Sequence, residues 1–288
     1  MIWIKGLREY KGSKTLLGEG ISGKVELYEK GTKRYVIKTY HGKELHETRK
    51  EYRARILYEY QLLNSLQHPN IIRAFKSVVS ANGLQVKVFI EAGSPDLSVL
   101  LQRHGSSLCI TTLTALWKQV CEGVCYLHER ELCHRDLKLE NLVMNPEFTQ
   151  IKIIDFMTAT KCEGPVVGIV GSSRYMAPEM ASRISYEGKS VDMWSLGIIL
   201  YRLLSRKFPW RQAMHLDPDF KIYAETRGSG SQLSDVYGKK IGGKTHLPGW
   251  SPSFPVLMSF LLEINPSNRS TIQQVFEDEW FASIQSHC

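Results

Sequence analysis

Short runs of β-branched and aromatic residues, separated by glycine and charged turns, open the chain: "KTLLGEG", "KVELYEK", "RYVIKTY", "KSVVS" and "LQVKVFIE". Runs of this length and composition predict strands. One long charged segment, from about His46 to Leu66, interrupts them and predicts a helix. From about Ser94 the period changes. Leu113, Leu116, Trp117, Val120, Val124 and Leu127 recur at spacings of three and four, which marks one face of an amphipathic helix. Further helices are predicted over "VDMWSLGIILYRLL", "FPVLMSFLLEI" and "TIQQVFEDEWFASI". The pattern predicts a small β-rich lobe followed by a larger helical lobe, without internal repeats. Residues 227–244, "RGSGSQLSDVYGKKIGGK", read as a surface loop.

Composition narrows the class. At 288 residues, with 43% hydrophobic and 23% charged residues, the chain suits one two-lobed globular domain. No run approaches the roughly 18 apolar residues of a membrane span. The start, "MIWIKGLREYKGSK", lacks the apolar core of a secretory signal. The six cysteines are scattered without a CxxC pair, which fits a cytoplasmic setting and argues against a metal or disulfide framework. A net charge of +8 suits phosphates or acidic partners, and no aromatic-interleaved basic patch points to nucleic acid.

Four stretches carry chemistry. "GEGISGKV" spaces Gly18, Gly20 and Gly23 as G-x-G-x-x-G-x-V. Dinucleotide folds use a similar spacing, but there a helix follows, whereas here the β-like "KVELYEK" does. That order predicts a hairpin whose tip covers phosphates with backbone N–H groups. Lys38, in "YVIK", is a cation on a strand, and Glu59 in the following helix is a plausible ion-pair partner. "HRDLKLEN" packs His134, Arg135, Asp136, Lys138 and Asn141 into eight residues after an amphipathic helix. From one loop, Asp136 can accept a hydroxyl proton, Lys138 can neutralise phosphate charge and Asn141 can ligate a metal. In "IKIIDFMTA" an apolar strand ends at Asp155, a good place for a second metal ligand.

Taken in order from Leu17 to about Trp280, these motifs resemble a eukaryotic-type Ser/Thr protein kinase: the glycine loop, "VIK", the helix Glu, "HRDLKLEN", "DFM", "APE", "DMWSLG" and the arginine of "NPSNRST". The resemblance implies an α+β bilobal fold, with a short extension at 1–12, a kinase domain at 13–283 (small lobe about 13–90, hinge 91–93, large lobe about 94–283) and a tail at 284–288. It implies ATP as co-substrate, Mg2+ as cofactor, and protein substrates bearing Ser or Thr. Lys38 would hold the α- and β-phosphates and pair with Glu59. Asp136 would be the catalytic base, and Asn141 and Asp155 would ligate magnesium. Glu91 to Gly93 would bond adenine, Ile90 would guard the back of its pocket, Val25, Val36 and Val143 would sandwich its ring, and Asp96 would reach the ribose. Leu63, His134 and Phe156 would stack in a column anchored by Asp192, while Glu179 would pair with Arg269.

Lys138, two residues after Asp136, and Ser172 in "GSSRYMAPE" resemble the Ser/Thr-directed members. Glu140 resembles a residue that reads basic substrate side chains, but its acidic helper on the next helix is replaced by Arg202. Arg135 resembles the arginine that binds an activation-loop phosphate. "CEGPVVGIVG" offers no hydroxyl before Gly171, so either Thr158, Thr160 or Ser173 is modified or the loop is ordered without phosphate, and the second is expected. "GIVGSSRYMAPE", "SYEGKSVDMWSLGIIL" and "LEINPSNRSTIQQVFEDEW" further resemble the fungal nitrogen-permease-reactivator and halotolerance kinases, which implies a role with ion or nutrient transporters. The alternative is a nucleotide-binding scaffold with weak turnover. Met157 stands where the family has glycine and is expected to stiffen the loop around Asp155 by closing off left-handed backbone angles.

Overall fold

The computed structural model describes residues 13–20, 23–80, 83, 85–93, 95–105, 107–228 and 254–285. The extension at 1–12, the last three residues of the tail and nearly all of the 227–244 segment lie outside the described residues. The five sequence-predicted strands form one sheet: β1 (Ser13–Gly20), β2 (Gly23–Lys30), β3 (Lys33–Tyr40), β4 (Ala74–Val79) and β5 (Val86–Glu91). Its order is β1-β2-β3-β5-β4, with every neighbouring pair antiparallel.

Helix α1 (Arg49–Ser65) begins three residues later than the pattern suggests. Thr48 accepts from Glu51 N and Glu51 returns the bond to Thr48 N, a capping box that sets the first turn there. Tyr52 and Ile56 of this helix pack with Tyr40, Val86 and Val88 of the sheet. Leu63, near its end, instead joins the core of the helical lobe, so α1 belongs to both lobes.

That larger core surrounds α3 (Ile110–His128) and α5 (Gly188–Ser205). All six apolar positions picked out by spacing in α3 are buried. Helix α5 is buried on nearly all sides, as expected for a central helix that is apolar all round. Trp117 of α3 donates its indole N–H to Leu196 O of α5 at 3.0 Å, which satisfies a donor that burial would otherwise leave unpaired. Around them stand α2 (Leu97–His104), α4 (Pro178–Ser182), α6 (Pro218–Gly228) and α7 (Phe254–Leu261). "TIQQVFEDEWFASI" is two helices, α8 (Ile272–Glu277) and α9 (Glu279–Ser283). Asp278 breaks the run with extended backbone and then caps α9 by accepting from Phe281 N at 2.9 Å.

Three short antiparallel pairs complete the described strands: β6 (Leu132–Cys133) with β9 (Thr160–Lys161), β7 (Leu142–Met144) with β8 (Ile151–Ile153), and β10 (Val166–Val167) with β11 (Ser185–Tyr186). Among the described residues no helix is long and apolar enough to cross a membrane.

Candidate active site

Strand β3 places Val36 and Lys38 on one face, because side chains alternate along a strand. Lys38 Nζ lies 3.1 Å from Glu59 Oε1 of α1 and 3.1 Å from Asp155 Oδ1 at the end of β8. Tyr40, two residues further along that face, donates its hydroxyl to Glu59 Oε2. Burial disfavours the charged amine, but Glu59, Tyr40 and Asp155 more than offset it and hold the lysine pKa above its ordinary value. Burial likewise opposes ionisation of Asp155, yet Lys38 beside it keeps the carboxyl below its ordinary value. Tyr40 was not among the sequence candidates, although its i, i+2 spacing from Lys38 would have put it on the same face.

The "HRDLKLEN" loop is hung from Asp192 of α5, which is fully buried. This carboxylate accepts His134 N and Arg135 N, each at 2.8 Å, and bonds His128 Nε2 at 3.0 Å. Those bonds hold Arg135 at φ 65°, a left-handed conformation that costs a non-glycine residue about 1 kcal/mol. The resulting reversal turns Asp136 toward the cleft. Its Oδ2 accepts from Lys138 Nζ at 2.8 Å and from Asn141 Nδ2 at 3.2 Å, and its Oδ1 accepts from Ser172 Oγ at 3.1 Å. Lys138 also donates to Ser172 Oγ at 2.9 Å, and Asn141 Nδ2 to Asp136 O at 2.8 Å. The close approach of the two segments requires Gly171 (φ 93°), where a Cβ would stand 2.6 Å from Arg135 O.

Arg135 is engaged within the protein. Its Nε donates to Thr158 O at 2.8 Å, and its Nη1 to Val167 O at 2.9 Å and to the Tyr186 hydroxyl at 3.4 Å. The segment after Asp155 is thus tied down through backbone carbonyls. Cys162 in that segment is buried, and Cys133 of β6 donates a thiol hydrogen bond to Thr160 O at 3.5 Å.

Between the lobes lies a cavity of about 460 Å³. Val25, Val36, Ile90 and Val143 line its walls, Glu91 and Gly93 one edge, and Gly18 and Asp96 its mouth. A Cβ at Gly93 would meet Val143 Cγ2 at 2.5 Å, so the slot keeps its width only with glycine there. Gly23 is not among its described lining residues. Asp96 is partly committed, because its Oδ1 caps α2 by accepting from Val99 N at 2.9 Å. An apolar slot leading to Lys38, Asp136 and Lys138 suits a flat ring carrying an anionic tail.

The supporting pairs also form. His134 and Phe156 meet edge-on at 4.9 Å between centroids, and Leu63 shares their core. Arg269 donates to both oxygens of Glu179, at 2.6 and 3.0 Å, with both side chains buried.

Met157 has a packing role that its sequence context does not show. The left-handed residue is Asp155, at φ 63°, and Met157 is not among the described positive-φ residues. Glycine's special freedom is therefore not used at 157. The half-buried Met157 side chain packs instead on the cluster formed by Tyr40, Tyr52, Ile56, Val86 and Val88.

Comparisons with known proteins agree with this geometry. The family described as "Protein kinase domain" matches residues 12–281. The Saccharomyces cerevisiae serine/threonine-protein kinase PRR2 is 29% identical over 97% of this chain and 43% of its own length. The nitrogen permease reactivator protein of the same yeast is 29% identical over 93% of this chain and 38% of its own. The carbon catabolite-derepressing protein kinase of Candida tropicalis is 31% identical over 92% of this chain and 40% of its own. The chain spans less than half the length of these relatives. With nearly all of it matched and the motifs folded around one cleft, the chain belongs to the protein kinase domain family.

Proposed function

We propose that this chain is a Ser/Thr protein kinase that transfers the γ-phosphoryl group of MgATP to Ser and Thr hydroxyls of protein substrates. The observation that carries the reading is the closed network Asp136–Lys138–Ser172, with Asn141 bonded to the same carboxylate, facing the Lys38–Glu59–Asp155 cluster. Lys38 would grip the α- and β-phosphates, fixed by Glu59 so that no reorganisation is needed when anion arrives. Asp136 would orient the acceptor hydroxyl and take its proton, while Lys138 would balance negative charge on the transferring group. Adenine would lie between Val25, Val36 and Val143 against Glu91–Gly93.

The donor set fits a hard divalent cation. Asn141 spends its amide N–H groups on Asp136, which leaves its Oδ1 to face a ligand, and Asp155 offers a half-exposed carboxylate. Few protein oxygens completed by phosphate oxygens is the usual arrangement for magnesium. Such an ion would neutralise phosphate charge; Asn141 and Asp155 would hold it.

The relative named a nitrogen permease reactivator supports a role with membrane transporters or their regulators, exercised from the cytoplasm where ATP is available. The test is phosphate transfer by purified chain, MgATP and a panel of acidic and basic acceptor proteins, with Asp136→Asn as control. Incorporation by the wild type and none by the variant is expected. Nucleotide binding with equal labelling, or with none by either, overturns the proposal in favour of the scaffold alternative.

A further inference from the structure

Phe208, just beyond α5, carries two arginines on one ring. Arg174 Cζ stands 4.9 Å and Arg202 Cζ 5.2 Å from its centroid, and Tyr175 meets it edge-on at 5.3 Å. Arg206, one turn after Arg202, accepts a hydrogen bond from Arg202 Nη1 at its carbonyl. Its own Nη2 donates to Gly105 O at 2.7 Å, and its Nη1 is buried without a hydrogen-bond partner. Among the described residues, none of the three arginines forms an ion pair with a carboxylate. Three like charges are gathered and left unneutralised, an arrangement that an arriving anion relieves.

The acid facing this cluster is the exposed Glu140, whose charge bears on the Tyr175 hydroxyl together with those of Arg202 and Arg174. It forms no ion pair with them, and the arginines outnumber it. The cluster lies beside the acceptor position. Arg174 follows Ser172 by two residues, a reach of at most ~7 Å along the backbone, and Ser172 bonds Asp136. The Tyr175 hydroxyl accepts from Leu139 N, next to Lys138.

We propose that Arg174 and Arg202, held against Phe208, bind an acidic side chain of the protein substrate close to the acceptor hydroxyl. This rests on the kinase reading and adds a substrate class to it. Phe208 holds both guanidinium groups within 5.2 Å of its ring centroid; Arg202 spends one Nη1 bond on Arg206 O, and the remaining N–H groups of the two arginines match the geometry of a carboxylate or a phosphate. The basic preference that Glu140 alone would suggest is overridden by the two guanidinium groups. The acidic group is either Asp or Glu, or a serine phosphorylated beforehand.

The test uses peptides with one central serine in which flanking positions are fixed singly as Ala, Arg, Glu or phosphoserine. Glu or phosphoserine at one flanking position should raise kcat/KM about tenfold over Ala, the scale of one charge-assisted hydrogen-bonded pair. A phosphoserine advantage well above that of Glu identifies a primed substrate, and equal effects identify an ordinary acidic one. Arg202→Glu should turn the preference toward Arg. Arg202→Gln and Arg174→Gln should abolish the acidic advantage, and because a ratio is read, a slower variant still reports. A wild type that prefers Arg or discriminates nothing, or an acidic preference unchanged in all three variants, overturns the proposal. Fluorescence anisotropy with a Ser→Ala version of the best acidic peptide separates the two readings. Peptide binding weakened at least fivefold by Arg202→Glu, without phosphate transfer by the wild type, would remove the kinase reading and keep the acid-binding cluster.

Discussion

Lys38 Nζ stands 3.1 Å from Glu59 Oε1 and 3.1 Å from Asp155 Oδ1, so one buried ammonium ties together the sheet, its helix and a strand end of the large lobe. This tie has a pH signature. Asp155 is held below its ordinary 3.8, so its contribution is present above that value and fades as pH falls through the lowered native one. Lys38 is held above its ordinary 10.5, so its contribution is complete below that value and is lost as pH rises through the raised native one. Lys38→Met should therefore lower the urea midpoint by a constant amount between 3.8 and 10.5, with the gap to wild type narrowing on acidification. Phosphate transfer should fall about 100-fold or more. A stability gap that widens toward low pH would contradict the pairing.

Met157 fills space beside the cluster of Tyr40, Tyr52, Ile56, Val86 and Val88. Replacing it by glycine empties a site between Val88 of β5 and Tyr52 and Ile56 of α1, the helix that carries Glu59. A loss of about 1–2 kcal/mol is expected, below the range for fully buried methionine because the side chain is half exposed. Helix α1 should show faster amide exchange, and transfer should drop. Met157→Leu, which keeps the volume, should recover both. A glycine variant more active than wild type would show that stiffness at this position, rather than packing, is what matters.

Arg135 spends its donors on Thr158 O, Val167 O and the Tyr186 hydroxyl. Activity should therefore survive exhaustive phosphatase treatment within about twofold, since no loop phosphate is needed to neutralise this guanidinium. Arg135→Ala should lower activity and expose the 158–167 segment to limited proteolysis. A loss of activity on dephosphorylation that is restored on incubation with MgATP would place the control in phosphorylation after all.

Cys109 sits exposed at the start of α3, where Thr111 and Thr112 hydrogen-bond its sulfur and bring its pKa down to about 7. Cys121 and Cys133 are buried with pKa values pushed up, and Cys162 is buried although its own is lowered. Alkylation by iodoacetamide, followed by peptide mass spectrometry, should mark Cys109 first among these four. Its rate should rise about tenfold from pH 6 to pH 8 as the thiolate fills. Equal labelling of Cys162 would mean that its segment opens readily.

The sequence by itself determined the two lobes, the five strands of the large sheet and the longest helices, and it singled out Lys38, Glu59, Asp136, Asn141 and Asp155 as candidates. Period two and period 3.6 are local properties of a chain, and a glycine loop or "HRDLKLEN" is recognisable because its chemistry is packed into a few residues. Tertiary structure decided the rest. Position 157 could not be read from "DFM", because which residue takes the left-handed backbone depends on how β8 meets the Asp192-anchored loop. The occupation of Arg135 by carbonyls, the bond from Tyr40 to Glu59 and the convergence of Arg174 and Arg202 at Phe208 link segments apart along the chain. Such pairings are set by strand register and helix packing, which no short spacing records.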